Sequence, residues 1–362
     1  MEYQFTSEQD ELRAALRRLL AERADPRAAY DGGPAIDRDL WATLADAGAL
    51  GLGIDEADGG SGGGLIDQIV VAEELGRAVA PVPFLATTVL GGSLVGALGS
   101  AEQRAEIGGA IASGALVVAV AITGPDAGDA LGEVRCDNAR LSGRLPLVVE
   151  GAAADLVLVP VLEGDGQSVY AVKTGAPGIS VTDLPALDRT RRPAEVVLEA
   201  AEGERLGPVG GATAALDEAR RRAYVALAAD ATGAAGRALE LSAEYAKVRQ
   251  QFGRPIGMFQ AVKHKAADML VAVENARSAT YFGAWEVGAG TPHADVAAAT
   301  AKATATEHAV TVVGDAVQIH GGVAITWEHD LHLYLRRVKA DELLLGDPQS
   351  HLDCVATHVL GA

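Results

Sequence analysis

The order of hydrophobic and polar positions predicts a helical first third of the chain. Leu12 and Leu16 recur at helical spacing after Thr6, which forms a capping-box pattern with Gln9. A further helix is predicted around residues 70–75, after a glycine-rich loop. The beginning of the chain is therefore predicted to be a helical domain.

From about residue 115 the pattern changes to short β-branched runs separated by Gly, Pro and Asp. These runs cover residues 115–122, 145–149, 155–161, 168–172, 178–181 and 195–198. They follow one another as a block, without helices between them, so a parallel doubly wound sheet is not expected. The pattern predicts a small antiparallel β domain.

After about residue 206 the chain again shows helical periodicity, in four long segments with short connections. The segments cover residues 212–248, 259–288, 293–318 and 327–345. Such a pattern predicts an antiparallel bundle. We therefore predict an α+β multidomain fold with an N-terminal helical domain (1–114), a central small antiparallel β domain (115–205) and a C-terminal four-helix bundle (206–362).

The composition of the chain argues against several classes of partner and site. Thirty Lys and Arg against 49 Asp and Glu give a net charge of −19, which argues against nucleic acid or an anionic membrane as a partner. Only Cys136 and Cys354 are present, so no disulfide framework or cysteine zinc site is predicted, and a cytoplasmic location is expected. The uncharged stretches 78–101 and 107–124 are interrupted by proline and glycine and lack basic flanks, so no membrane span is predicted.

The residues alone do not identify a reaction. His329 and His332 share a helix face, but no carboxylates stand at ligand spacing around them, so no metal site is predicted. No serine elbow or Cys/His constellation marks a nucleophile. The arginine run 220–222 is interpreted as a solvated helix face.

Several segments, however, follow the signatures of a known family. Residues 245–260 read YAKVRQQFGRPIGMFQ, residues 318–322 read QIHGG, and residues 123–128 read TGPDAG. In this order they resemble the motifs of acyl-CoA dehydrogenases, and residues 334–346 resemble the closing helix of that family. The LLLGDP ending of this helix and the short length resemble the smaller subunits of heteromeric acyl-CoA dehydrogenases that serve steroid side-chain breakdown in actinobacteria.

The resemblance implies a flavoprotein that oxidises an acyl-CoA thioester to the 2,3-enoyl-CoA. A carboxylate removes the α-proton while the β-hydrogen leaves as a hydride to FAD. In this family each FAD is shared between two subunits, and an electron-transferring flavoprotein is the usual electron acceptor.

One half of the shared FAD site is predicted to be present in this chain. By resemblance, Arg249 and Phe252 contact the ADP part and Gln260 lies near the adenosine. The diphosphate is expected to meet the segment Gln318, Ile319, His320, Gly321 and Gly322. An arginine can neutralise a diphosphate with fork-like hydrogen bonds, and glycines let the backbone approach a bulky anion.

The half-site that would hold the flavin ring departs from the family pattern. The turn that opens the β domain has Gly124 in place of glutamate and Asp129 in place of serine, and residues 148–151 stand where a Trp-Ile-Thr strand is usual. The two family positions of the catalytic base are occupied by Leu345 and, near the start of the bundle, Ala223.

No catalytic residue is therefore assigned. Asp347 is the remaining candidate base, with Glu342 also near in sequence, and a solvated helix end or turn explains both. One retained and one eroded half-site predict an FAD-sharing, non-catalytic subunit that pairs with a second family member, in an α2β2 assembly. The alternatives are a self-sufficient homotetrameric dehydrogenase with a non-standard base, and a flavin-free acyl-CoA-binding scaffold. The acyl group is not predicted.

Overall fold

The computed structural model describes residues 4–124 and 134–361. The turn residues from Pro125 to Ala130, including Asp129, therefore lie outside the described residues. The contacts divide the chain into two compact units. The bundle unit holds Met1–Pro26, Ile69–Ala80 and Tyr224–Ala362, and the sheet unit holds Arg27–Gln68 and Pro81–Ala223.

Helices dominate both ends of the chain, as predicted. In the described residues the α-helices are α1 (Ser7–Arg23), α2 (Arg38–Asp46), α3 (Leu65–Ala78), α4 (Ser93–Leu98), α5 (Ala101–Gln103), α6 (Gly109–Ala112), α7 (Thr213–Val248), α8 (Gln260–Gly288), α9 (Ala294–His320), α10 (Leu331–Leu343) and α11 (Pro348–Leu360). Two π-helical stretches, Leu85–Gly92 and Arg104–Gly108, lead into α4 and α6.

The predicted start of the first helix and the four long C-terminal segments are confirmed. The Thr6 hydroxyl accepts a hydrogen bond from Gln9 N at 3.2 Å, and the Gln9 side chain accepts one from Thr6 N at 3.1 Å. The structure adds a fifth C-terminal helix, α11. Its apolar residues Leu352, Val355 and Val359 recur at helical spacing, but Leu352 and Val359 are exposed and Val355 is half-buried, so this face does not point into the core.

The bundle unit packs α3 and α7 backbone against backbone. A Cβ placed on Gly233 would lie 1.8 Å from the Glu73 carbonyl oxygen, and one on Gly76 would lie 2.0 Å from the Asp230 carbonyl oxygen. Only glycine permits so close an approach. A buried ion pair completes this packing, because Arg337 donates to both Asp230 carboxylate oxygens at 2.8 Å.

The strands follow the predicted block. They are β1 (Val118–Val120), β2 (Arg135–Asp137), β3 (Arg140–Val148), β4 (Leu156–Glu163), β5 (Gly166–Lys173), β6 (Ile179–Asp183), β7 (Ala194–Glu202), β8 (Glu204–Leu206), β9 (Gln250–Gln251) and β10 (Arg254–Pro255). The pattern did not predict β2 and β8, which have three residues each, or the two-residue strands β9 and β10, which lie outside that block.

The sheet unit contains two four-stranded sheets, in the orders β1-β4-β5-β8 and β2-β3-β7-β6. The predicted antiparallel pairing holds for every pair except β1 with β4, which is parallel. The chain crosses to the other sheet between β1 and β4, and such a crossover permits a parallel pair. Inward side chains of both sheets, such as Leu145, Val159, Val172 and Val196, share one core.

Among residues 4–124 and 134–361, no helix is long and apolar enough to cross a bilayer.

Candidate cofactor half-site

A short hairpin in the bundle unit presents the first predicted motif. The Arg249 amide donates to the Tyr245 carbonyl at 2.8 Å, and the Ile256 amide donates to the Arg249 carbonyl at 2.8 Å. Between them β9 and β10 pair through a two-residue turn at Phe252 and Gly253, with φ +54° and +75°. Two positive φ angles are typical of the type I′ turn that suits a tight hairpin.

The side chains of this hairpin are open to solvent. Phe252 is 90% exposed, and its ring centroid lies 6.0 Å from that of Phe259. The Arg254 guanidinium lies 4.3 Å from the Phe259 ring centroid. Gln260 begins α8, with its Nε2 atom 3.3 Å from His264 Nε2. The exposed Arg249 guanidinium makes no hydrogen bond or ion pair within the described residues, so it is available to an anion.

The second predicted motif forms a glycine loop at the end of α9. His320 ends the helix, and Gly321 has φ +66° and ψ −145°, a conformation that is essentially confined to glycine. A Cβ at Gly321 or Gly322 would have no atom within 4 Å. Backbone conformation therefore explains Gly321, and the open space around both glycines leaves the backbone approachable.

An aromatic contact brings the two motifs together. The rings of Tyr245 and His320 stack with centroids 4.4 Å apart and an interplanar angle of 19°. His320 Nδ1 donates to the Ala316 carbonyl oxygen at 2.8 Å. Burial lowers the pKa of His320, and the neighbouring His329 lowers this pKa further. The last turn of α7, which leads into the hairpin, thus contacts the residue that precedes the glycine loop in the bundle unit.

These residues fit the ADP half of a dinucleotide. A diphosphate requires a cation and an approachable backbone, which Arg249 and the glycine loop offer. The exposed ring of Phe252 offers a flat apolar surface beside them.

The closing loop after α10 shows the opposite character. Leu345, at the position of the family's base, is buried and has φ +59°. His351 Nε2 lies 3.1 Å from the Leu345 carbonyl oxygen. The Lys302 ammonium donates to the carbonyls of Glu342 and Gly346 at 3.1 Å each. Burial lowers the pKa of Lys302 to about 8. The loop is thus held by buried polar groups around a leucine.

The remaining candidate bases have structural partners. Asp347 caps α11, since its Oδ1 accepts from Ser350 N at 2.9 Å and from Ser350 Oγ at 2.7 Å. These bonds hold the pKa of Asp347 below its usual value. The Glu342 carboxylate pairs with Lys339, and Ala223 is buried. A base with a lowered pKa accepts a proton poorly at neutral pH.

The segment 148–151 in the sheet unit contains a buried ion pair that sequence reasoning missed. Glu150, with φ +56°, accepts from Arg191 Nη1 at 2.6 Å and from the Ala86 amide at 2.9 Å. Both charged side chains are almost fully buried. Nothing in the sequence around Glu150 indicates that its partner lies 41 residues away. A buried carboxylate therefore stands in the segment predicted to replace the family's Trp-Ile-Thr strand.

The arginine run at the start of α7 is more than a solvated face. Arg220 pairs with Asp217, and Arg221 and Arg222 pair with Glu218. All three arginines are half-buried. Together with Glu218, Arg222 lines a cavity of about 480 Å³ in the sheet unit.

The fold is that of the acyl-CoA dehydrogenases. The family model for the acyl-CoA dehydrogenase C-terminal domain matches residues 212–360, and that for the N-terminal domain matches residues 6–115. The chain belongs to the acyl-CoA dehydrogenase family.

Individual relatives refine this assignment. The chain is 37% identical to acyl-CoA dehydrogenase IpdE2 of Mycobacterium tuberculosis, with 95% of each chain covered. Among solved structures it is similar to the ChsE4-ChsE5 complex from Mycobacterium tuberculosis, at 30% identity, TM-score 0.92 and full coverage of both chains. It is also similar to a Tcur3481-Tcur3483 steroid ACAD variant, at 32% identity, TM-score 0.88 and 98% coverage of each chain.

Proposed function

We propose that this chain is the non-catalytic, FAD-sharing subunit of a heteromeric acyl-CoA dehydrogenase. The bundle unit contributes the ADP half of the cofactor site. A second family member contributes the flavin-ring half and the catalytic carboxylate. The assembly desaturates an acyl-CoA thioester between its α and β carbons.

One contrast carries this proposal. Arg249 is exposed and free of ion pairs within the described residues, and the glycine loop is open, whereas the position predicted for the base holds the buried Leu345. The buried Glu150–Arg191 pair, in the segment predicted to replace the family's Trp-Ile-Thr strand, supports the same contrast. FAD, the cofactor of the family, supplies hydride acceptance when it is bound. Within this chain, Arg249 offsets the diphosphate charge and the glycine loop admits the diphosphate.

The relatives support the choice of partner and substrate class. One similar structure is a two-protein complex, and another is described as a steroid acyl-CoA dehydrogenase. We infer a cytoplasmic α2β2 assembly that acts on a steroid-type acyl-CoA and passes electrons to an electron-transferring flavoprotein.

The chain purified alone and together with a family partner tests this proposal. Absorbance near 450 nm reports bound flavin, and an acyl-CoA panel with a dye acceptor reports turnover. We expect flavin and turnover only in the assembly. Turnover by the chain alone would establish a self-sufficient homo-oligomer, and an active assembly without flavin on this chain's half-site would establish a scaffold.

A variant with a carboxylate at position 345 tests whether this chain lacks only the catalytic base or also a working flavin-ring half-site. If only the base were missing, Leu345→Glu would give the isolated chain measurable turnover. We expect none, because the flavin-ring half-site is also altered. Leu345→Gln, which has the same shape without a carboxylate, is the matched control. Turnover by the Glu variant alone would contradict the proposed role.

A further inference from the structure

Three aromatic rings meet beside the candidate half-site. His320 stacks on Tyr245 at 4.4 Å, and the ring of His329 meets His320 edge-on, with centroids 4.9 Å apart and an interplanar angle of 62°. We call Tyr245, His320 and His329 the aromatic stack. His320 is the shared member and is 5% exposed.

Backbone hydrogen bonds fix two of these rings in different segments. His320 Nδ1 donates to the Ala316 carbonyl oxygen one turn earlier in α9, at 2.8 Å. His329 Nδ1 accepts from the Leu331 amide at the start of α10, at 3.2 Å. The stack therefore joins the end of α9 to the segment that precedes α10.

The third ring connects the stack to the arginine hairpin. The Tyr245 carbonyl accepts from the Arg249 amide at 2.8 Å, so the ring lies one turn before the hairpin. On the other side, Gly321 follows His320 directly. Movement of the His320 ring would thus alter the spacing between Arg249 and the glycine loop.

We propose that His320 is a positioning residue for FAD: through its stack on Tyr245 it holds the Arg249 hairpin against the glycine loop. The inference rests on the proposed function for the identity of the ligand. The ring acts through its neighbours, because the rings of Tyr245 and His329 cover it. A diphosphate bound by two separate segments requires those segments at a fixed spacing.

Three variants of the full chain test this role. His320→Ala removes the ring, and His320→Phe retains a ring that can stack. His351→Ala is the matched control, because His351 is also buried and meets Tyr224 with centroids 4.5 Å apart. Hydrogen exchange of residues 250–256 is measured on the flavin-free chain, and FAD affinity is measured on the assembly with its partner.

The expected result is a coupled change. His320→Ala should raise exchange in residues 250–256 about fivefold and weaken FAD binding about tenfold. His320→Phe should remain within about threefold of wild type in both measurements. His351→Ala should leave both unchanged while it lowers the melting temperature.

Other results would overturn the inference. Exchange that rises only in residues 318–325 would show that the ring does not reach the hairpin. Weaker FAD binding without a change in hairpin exchange, or in His320→Phe as strongly as in His320→Ala, would show a direct role of the imidazole. If the wild-type assembly binds no FAD, the proposed function fails, and hairpin exchange in the flavin-free chain still decides whether His320 couples the two segments.

Discussion

Two regions of the bundle unit differ in how far their polar groups are engaged by other groups of the chain. In the hairpin and glycine loop, Arg249 is free of ion pairs within the described residues and Gly321 adopts a conformation reserved for glycine. In the closing loop, Lys302, Asp347 and His351 all engage groups of the loop or of the following helix. In the first region, Arg249 and the glycine loop are left available to a ligand. In the second region, the polar groups stabilise the fold.

Exposed apolar side chains flank both regions. Phe252 is 90% exposed, and Ile325 and Trp327, shortly after the glycine loop, are 74% and 62% exposed. Large exposed apolar residues near one another usually mark an interaction surface. Leu345 of the closing loop is buried, but Leu343 just before it is 63% exposed. Both regions are therefore expected to be covered in an assembly.

The largest expected effect comes from the free arginine. Arg249→Ala in the assembled protein should lower FAD affinity at least tenfold, because one diphosphate charge loses its partner. Such a truncation costs about 2–5 kcal/mol. Flavin fluorescence titration measures it. Arg18→Ala removes an equal, exposed charge from α1 and should have no effect. Unchanged affinity in Arg249→Ala would remove the contrast between the two regions.

A substitution in the contacts of the closing loop should lower the stability of the chain. Lys302→Met leaves the Glu342 and Gly346 carbonyls without their donor, at about 1–3 kcal/mol for each unsatisfied group. The free energy of unfolding should fall by about 2 kcal/mol or more, as measured by urea denaturation. Lys263→Met, at an exposed position, is the control. A change below about 0.5 kcal/mol would contradict a structural role for Lys302.

The same variant has a pH signature. The pKa of Lys302 is lowered to about 8 from 10.5, so between these values the unfolded chain binds more protons than the folded one. Wild-type stability therefore gains from this group as pH rises through that range. The deficit of Lys302→Met should be larger at pH 9.5 than at pH 7. A deficit that shrinks over this range would refute the lowered pKa.

The smallest effect is expected at the candidate bases. Asp347→Asn keeps a capping side chain, and Glu342→Gln keeps its shape, so each should change turnover of the assembly less than about tenfold. An amide cannot accept the proton, so a true base would lose several orders of magnitude. A collapse of turnover with FAD retained would make this chain catalytic.

Much of the fold was accessible from the sequence because it depends on local periodicity. The long helices and strands such as β4 and β5 carry strong patterns, and the Thr6 capping box is a local contact. The parallel β1–β4 pair and the exposed helix α11 were not predicted. Pairing direction depends on chain crossovers, which leave no local signal. The apolar residues Leu352, Val355 and Val359 of α11 do recur at helical spacing, so this helix could have been predicted.

The candidate site was accessible only through motifs. Resemblance pointed to residues 245–260 and 318–322, and in the structure Tyr245 of the first motif stacks on His320 of the second. The resemblance did not show that His320 stacks on Tyr245, or that Glu150 pairs with Arg191. These contacts join residues that are 75 and 41 positions apart in the chain. Long-range side-chain contacts leave no periodic signal in a single sequence. The roles of the motif residues toward FAD remain predictions.

The flavin-to-protein ratio of the assembly tests the central claim most directly. The chain is co-purified with its family partner, FAD is quantified by absorbance after release, and light scattering gives the mass. Because each site takes one good half from each kind of subunit, we predict an α2β2 particle with two FAD molecules. One tightly bound FAD for every copy of this chain in a homo-oligomer would contradict the account.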